Sequence, residues 1–260
     1  MPKSNGISSR FARTRPLSPR IIAGGVAAAA LLGLSVPVVR AAPLGEAIIQ
    51  GSATISRNGS ATTVQQTSSR AVINWNSFNL AAEEAVNFIL PTAHDATLNR
   101  ILDPNPSTIS GTIQSNGTVY FSNPNGLVFD ATSRVSANGF VATTSAISSF
   151  DFMNSPLEPK KLIASGTATI QLNGSITANQ ITAIGPVVGV AGTLNGKGST
   201  HGGDVTLSSS TYSWVGKNAV ISANAGCDAA NCAAETGHGG NVMVWSDGTT
   251  HYFGKISATG

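Results

Sequence analysis

Charge is scarce in this chain. Asp, Glu, Lys and Arg make up 10% of its 260 residues, and aromatic residues 6%. There are four His and two Cys. The 12 acidic residues are thinly scattered. Glu83-Glu84 is the one adjacent pair. Hydrolysis or elimination on polysaccharides needs clustered carboxylates, often with bound calcium, so this scatter argues against such chemistry. In a strand, alternation points Glu83 and Glu84 to opposite faces, and they read as a solvated surface pair. No Ser stands in a Gly-x-Ser-x-Gly elbow. His94-Asp95 falls in a loop-like PTAHDATLNR stretch. His201-Gly202-Gly203-Asp204 does not recur at the nine-residue period of calcium-binding repeats and reads as a corner. Neither a catalytic residue nor a cofactor or metal site emerges from these residues. Trp75, Trp214 and Trp245 read as core or stacked aromatics before a sugar platform.

Positive charge is unevenly spread. Six of the 15 Lys and Arg lie in residues 1–41, which hold no acidic residue. The other nine face 12 carboxylates, so the remainder of the chain is net acidic. That excludes the basic footprint of a nucleic-acid binder. The early cluster, Lys3 to Arg20, precedes an apolar run of 16 residues, Ile21–Val36. Spanning a bilayer takes about 20 apolar residues. A basic head, an apolar middle and small residues at Ala41 and Ala42 describe a secretory signal peptide over 1–41. Cleavage is expected after Ala41, with Ala42 the neighbouring alternative. Secretion in turn makes a disulfide between Cys227 and Cys232 plausible, as a small loop staple.

The remaining stretch, 42–260, forms one expected domain. Hydrophobic residues are 41% of the chain, too many and too evenly spaced for disorder. Short β-branched and aromatic runs alternate with turn signals, densest from Ile73 to Thr144. Asn-Gly pairs stand at 116–117, 125–126, 138–139 and 173–174. In a flat sheet these would be tight hairpins of an antiparallel sandwich. Recurrence favours a different architecture. Val119-Tyr120-Phe121 is followed 16 residues later by Val135-Ser136-Ala137, and Val205-Thr206-Leu207 16 residues later by Ile221-Ser222-Ala223. Val242-Met243-Val244 and Ile256-Ser257-Ala258 form a similar pair, and Ile176-Thr177-Ala178 repeats the second element. Short strands cannot bury an apolar face alone. Coiling them into stacked rungs buries a continuous column. Ile109, Ile113, Val119 and Phe121 are expected inside, with Gly and Asn at corners tolerating positive φ. Residues 43–72 suit an N-terminal cap, and Asp151–Lys161 reads as a loop leaving the coil. Gly260 follows directly on a rung motif, as expected either of a truncated protein or of one whose solenoid continues in a longer relative.

A set of residues then carries a family resemblance. It runs Asn74, Trp75, Phe78, Asn79, Val86, Asn87, Phe88, Asn99-Arg100-Ile101, Ser107, Ile109, Gly111, Asn116-Gly117 and Val119. It ends with Asn123-Pro124-Asn125-Gly126, Phe129, Gly139, Ala142 and Thr143. In this order and spacing the chain resembles the secretion domain of two-partner secretion exoproteins, the filamentous haemagglutinin-like (haemagglutination activity) domain. The resemblance implies an all-β fold, a right-handed parallel β-helix with an N-terminal cap and extra-helical hairpins or loops. It implies a secreted, adhesin-type protein that acts without catalysis, passes through the periplasm and reaches the cell surface or medium. The implied partner is an outer-membrane β-barrel transporter with POTRA domains, with host-cell or surface glycans as targets of the adhesin. Asn123, Pro124, Asn125 and Gly126 fall on the family's secretion motif. Asn74, Trp75, Phe78, Asn87, Phe88, Asn99, Arg100, Asn116 and Gly117 fall on structural positions. A second family motif, Asn-Pro-Asn-Leu, is missing. Its nearest counterpart is Asn154-Ser155-Pro156-Leu157. A β-helical polysaccharide lyase or hydrolase and an autotransporter passenger are the competing readings.

Overall fold

The computed structural model describes residues 41–154, 162, 166–198, 201–225 and 238–260. The chain opens with β1 (Ala47–Gln50), then β2 (Ala53–Asn58) and β3 (Ala61–Gln66), which form an antiparallel hairpin. It continues with β4 (Arg70–Trp75), which pairs antiparallel with β1, and β5 (Ala85–Ile89). Together these make the N-terminal cap and first coil. Glu46 grips Arg57 across this cap at 2.6 Å.

From there the chain winds. A second coil carries β6 (Ala96–Ile101), β7 (Ser107–Ile109) and β8 (Thr112–Ser115), and a third β9 (Thr118–Ser122), β10 (Leu127–Phe129) and β11 (Arg134–Ser136). The fourth begins with β12 (Gly139–Thr143), leaves the coil through helix α1 (Ser149–Asn154), and returns with β13 (Thr169–Leu172) and β14 (Ser175–Ala178). Later coils carry β15 (Gln180–Val190) and β16 (Thr193–Gly196), then β17 (Asp204–Val215) and β18 (Val220–Ser222), and last β19 (Asn241–Ser246), β20 (Thr249–Tyr252) and β21 (Lys255–Ser257). The fold is a parallel β-helix with three faces.

Register shows how the repeats work. On the first face Val119 stacks beneath Phe140, then Ile181, Val205 and Val242. On the third face Ile113, Val135, Ile176, Leu194, Ile221 and Ile256 stack in one ladder. The 16-residue interval therefore crosses from one face to another within a coil, and the stacking partner of Val119 is Phe140. The β-helix reading holds. The hairpin reading of the Asn-Gly pairs does not, because outside the cap every ladder among named strands is parallel.

Ile109, Ile113, Val119 and Phe121 all lie inside, fully buried. The corner glycines work differently from the expectation. Of the four Asn-Gly pairs at 116–117, 125–126, 138–139 and 173–174, only the one at Gly126 has a positive φ, at 115°; Gly59, in the Asn58-Gly59 turn of the cap hairpin, has one of 58°. At Gly117, Gly139 and Gly174 the reason is close approach. A Cβ on Gly174 would lie 2.1 Å from Ser133 Oγ, and one on Gly117 would lie 2.7 Å from Asp95 O. The neighbouring coil fills that space, with backbone carbonyls and side chains at Gly117 and Gly174 and with the Thr118 side chain at Gly139, and an added side chain would force the coils apart.

Residues 151–154, expected as loop, form the end of α1; Ser155–Lys161 lie outside the described residues. Ser148 caps the helix. Its Oγ accepts from Asp151 N at 3.0 Å and donates to the Asp151 carboxylate at 2.6 Å. The excursion covers an apolar ladder on the outer side of the first face, Val72–Leu98–Tyr120–Val141, with Ile147 and Phe152. Tyr120 and Phe152 meet edge to face at 5.3 Å. Arg70 donates to the Phe152 carbonyl, and Arg100 Nη2 to Ile147 O at 2.9 Å and Ser149 Oγ at 2.8 Å. Burial pushes the Arg100 guanidinium below its ordinary pKa, yet two acceptors hold it.

Candidate functional site

The Asn123–Gly126 turn sits at the corner between the first and second faces, joining β9 to β10. Asn at the first position and Pro at the second favour a tight turn. Gly126 N donates to Asn123 O at 3.0 Å and closes it. The Asn123 side chain is buried and works in three directions. Its Oδ1 accepts from Asn125 N at 2.9 Å, and its Nδ2 donates to Ser107 Oγ at 3.1 Å and to Asn105 O at 3.3 Å. Asn123 N also donates to Thr143 O at 3.1 Å, tying the turn to the coil on its other side. Gly126 is buried, and a Cβ there would lie 2.9 Å from Thr169 O. Pro124 and Asn125 are exposed. The motif is thus divided: its ends hold the corner, and its middle two residues face solvent.

The corner one coil earlier was not singled out by sequence reasoning. Asp103-Pro104-Asn105 repeats the side-chain part of this turn, with Asp103 Oδ1 accepting from Asn105 N at 2.9 Å, while Pro106 at its fourth position has no N–H to close it as Gly126 does. The two turns are stitched together, Asn125 Nδ2 donating to Asp103 O at 2.8 Å and Asn123 Nδ2 reaching Asn105 O. The signal was present: an Asp-Pro-Asn triplet one coil ahead of Asn-Pro-Asn.

The other expected positions divide by role. Trp75 is buried, and its Nε1 donates to Asn99 Oδ1 at 3.0 Å, while Asn99 Nδ2 donates to Tyr120 O at 3.2 Å. Trp75 meets Phe78 edge-on at 5.4 Å, and Phe78 meets Phe121 at 5.1 Å. Phe88, Phe129 and Phe140 each lie 6.2 Å from Phe121, making it the hub of an aromatic core. Asn116 takes Leu90 in both directions, its Oδ1 accepting from Leu90 N and its Nδ2 donating to Leu90 O, both at 2.8 Å. Asn87 is half-buried within β5, and Asn74 Oδ1 is buried without a hydrogen-bond partner. These residues build and bind coils to one another. Arg100 anchors the excursion and, with Asn74, stands on the first face near the Asn123 corner.

Glu84 and Trp245 differ from expectation. Glu84 is buried rather than solvated: it sits in a corner, not a strand, and its Oε2 accepts from Ala81 N at 2.9 Å. Trp245 is 57% exposed rather than packed, with Nε1 donating to Asp247 Oδ1 at 3.0 Å. His201-Gly202-Gly203-Asp204 is a corner as expected; its His201 ring stacks on that of His238 at 5.4 Å. Cys227 and Cys232 lie outside the described residues, as do the apolar run 21–36 and Ser155–Leu157. Ala41 and Ala42 are the first two described residues.

Comparison with known proteins gives a consistent answer. The sequence model of the TPS secretion domain matches residues 40–245. A heme/hemopexin-binding protein of Haemophilus influenzae (strain ATCC 51907 / DSM 11121 / KW20 / Rd) is 32% identical over 112 residues, 43% of this chain and 12% of that protein. A second Haemophilus influenzae heme/hemopexin-binding protein is 37% identical over 82 residues, 32% of this chain and 9% of its own length. The matched stretches are thus small parts of these relatives. Among solved structures, the HMW1 secretion domain from Haemophilus influenzae shares the fold with a TM-score of 0.57 and 21% identity, covering 83% of this chain and 73% of that one. The match to the family's sequence model takes in most of the described β-helix, including the divided Asn-Pro-Asn-Gly corner. The chain belongs to the TPS secretion domains, the modules of exoproteins exported with a partner transporter.

Proposed function

We propose that this domain directs export of an adhesin-type exoprotein from the periplasm through a cognate outer-membrane β-barrel with POTRA domains. On this reading residues 1–41 take the chain into the periplasm and are removed after Ala41. The Asn123–Gly126 turn is then presented to the transporter. One observation carries the proposal: Pro124 and Asn125 are exposed on a turn whose other two residues are buried and hydrogen-bonded to flanking coils. A rigid, solvent-facing tip loses little conformational freedom on binding. Attachment to surface glycans belongs to the exoprotein once exported.

The test uses Pro124→Ala with Asn125→Ala, which alters the tip and leaves Asn123 and Gly126 in place. In a Gram-negative host carrying the chain and its transporter, the expected result is periplasmic accumulation and loss of extracellular protein. Normal export of the double variant, or export from cells lacking the transporter, overturns the proposal.

A further inference from the structure

We propose that Leu102–Pro106 supplies a second element of the transporter-recognition surface, stacked directly on the Asn123–Gly126 turn. The inference rests on the reading that the latter turn is presented to the transporter.

Two adjacent corners carry the same Asx-Pro-Asn triplet. Asp103-Pro104-Asn105 and Asn123-Pro124-Asn125 have the same internal hydrogen bond at the same length, from the third residue's N–H to the first residue's side chain. The later turn donates two side-chain amides to carbonyls of the earlier one. Successive coils stand about 4.8 Å apart, so two prolines and two asparagines form one small patch rather than separate sites. Pro104, Asn105, Pro106, Pro124 and Asn125 are all exposed, and Leu102 beside them is 54% exposed.

The patch is bounded on both sides. One coil earlier the corner is Asn76-Ser77, and it is already occupied. Asn76 N donates to Leu44 O, and Leu44 N to Ser77 O, each at 3.0 Å. One coil later the chain leaves the helix after Thr143 toward α1. The doubled Asx-Pro-Asn corner therefore occupies two adjacent rungs between a closed corner and a departure.

Its chemistry defines the partner. The asparagine amides offer donors and acceptors, and prolines and Leu102 offer rigid apolar surface. The Asp103 carboxylate is engaged by Asn105 N and Nδ2. The fitting occupant is a polypeptide surface with an apolar or aromatic shelf for proline and main-chain groups for the amides, which a folded periplasmic domain of the transporter can supply. Because charge contributes little, binding should depend only weakly on salt.

The hydrogen bonds into the earlier turn end on the main-chain carbonyls of Asp103 and Asn105, so side chains there can be changed while those acceptors remain. The test is Leu102→Ser with Pro104→Ala and Asn105→Ala in the full chain. Binding to the purified periplasmic domains of its transporter is measured alongside export and the urea unfolding midpoint. Expected are about tenfold weaker binding, matching loss of export and an unchanged midpoint. Unchanged binding and export in this variant, while Pro124→Ala with Asn125→Ala impairs both, overturns this inference and leaves the function standing. Unchanged export in both variants overturns both, and export without the transporter overturns the function itself. If the triple variant's midpoint falls, a photo-reactive amino acid at position 105 of the otherwise unaltered chain decides. Crosslinking to the transporter barrel supports the inference, and crosslinking from position 125 but not 105 overturns it.

Discussion

The coils before and after the excursion differ in where they put their aromatic rings. The early coils bury rings: Trp75, Phe78, Phe88, Phe121, Phe129 and Phe140 fill the interior. The late coils fill theirs with Ile181, Val188, Val190, Leu194, Val205, Leu207 and Ile221. Their aromatics go outward: Trp245 and Phe253 are exposed, and Trp214 lies half-buried beside Gly189. The outer surface differs too. The ladder Val72–Leu98–Tyr120–Val141 is apolar and covered by α1, and the same ladder turns polar at Thr182 and Thr206. One fold thus tolerates two interiors. The early coils, buried on both sides of the first face, hold the candidate recognition corner on a rigid base.

This contrast can be broken most severely at its hub. Phe121→Ala removes a ring that touches four others and should cost about 3–5 kcal/mol in urea unfolding. Loss of under 1 kcal/mol would mean that the early interior relaxes as readily as an aliphatic one. Next comes Asn99→Ala, which strands the buried Trp75 N–H and Tyr120 carbonyl. An unfolding cost of about 1–3 kcal/mol is expected. Arg100→Met should act locally. It frees the excursion from two of its anchors, so limited proteolysis within residues 144–168 should speed up while the global midpoint moves little.

A smaller effect is expected in acid. Burial works against the Asp130 carboxylate, but donors from Ser110, Thr132 and Ser133 outweigh it and hold its carboxyl below the ordinary value. A folded pKa below the unfolded one gives stability that is full above the unfolded value and lost as pH falls through the folded one. The difference between wild type and Asp130→Asn should therefore be greatest above about pH 4 and shrink toward lower pH in a pH series of unfolding curves. The smallest change is Trp245→Ala. As an exposed late-coil ring it should shift stability by less than about 0.5 kcal/mol.

Much of the β-helix was legible because a stacked coil writes its period into the sequence. Inward positions such as Ile113, Val135 and Ile176 must be apolar, and corners must be small. The register was less legible: Val119 and Val135 look like successive rungs, yet they lie on different faces of one coil. Glu84 could not be placed from its neighbours, since a corner carboxylate is buried only if a backbone N–H turns to meet it. The Asp103–Asn105 turn was spelled out in the chain, but nothing local told that it lies against Asn123–Gly126.

By itself, then, the sequence determined the all-β coil, its cap and the identity of the turn at Asn123–Gly126, because periodicity and turn chemistry are local properties. Only the tertiary structure decided which residues of that turn are buried and which face solvent. It alone brought Pro104 beside Pro124 and folded α1 over Tyr120. Those outcomes depend on contacts between coils, and a parallel stack sets such contacts by register across twenty or more residues of chain, as between Thr118 and Gly139.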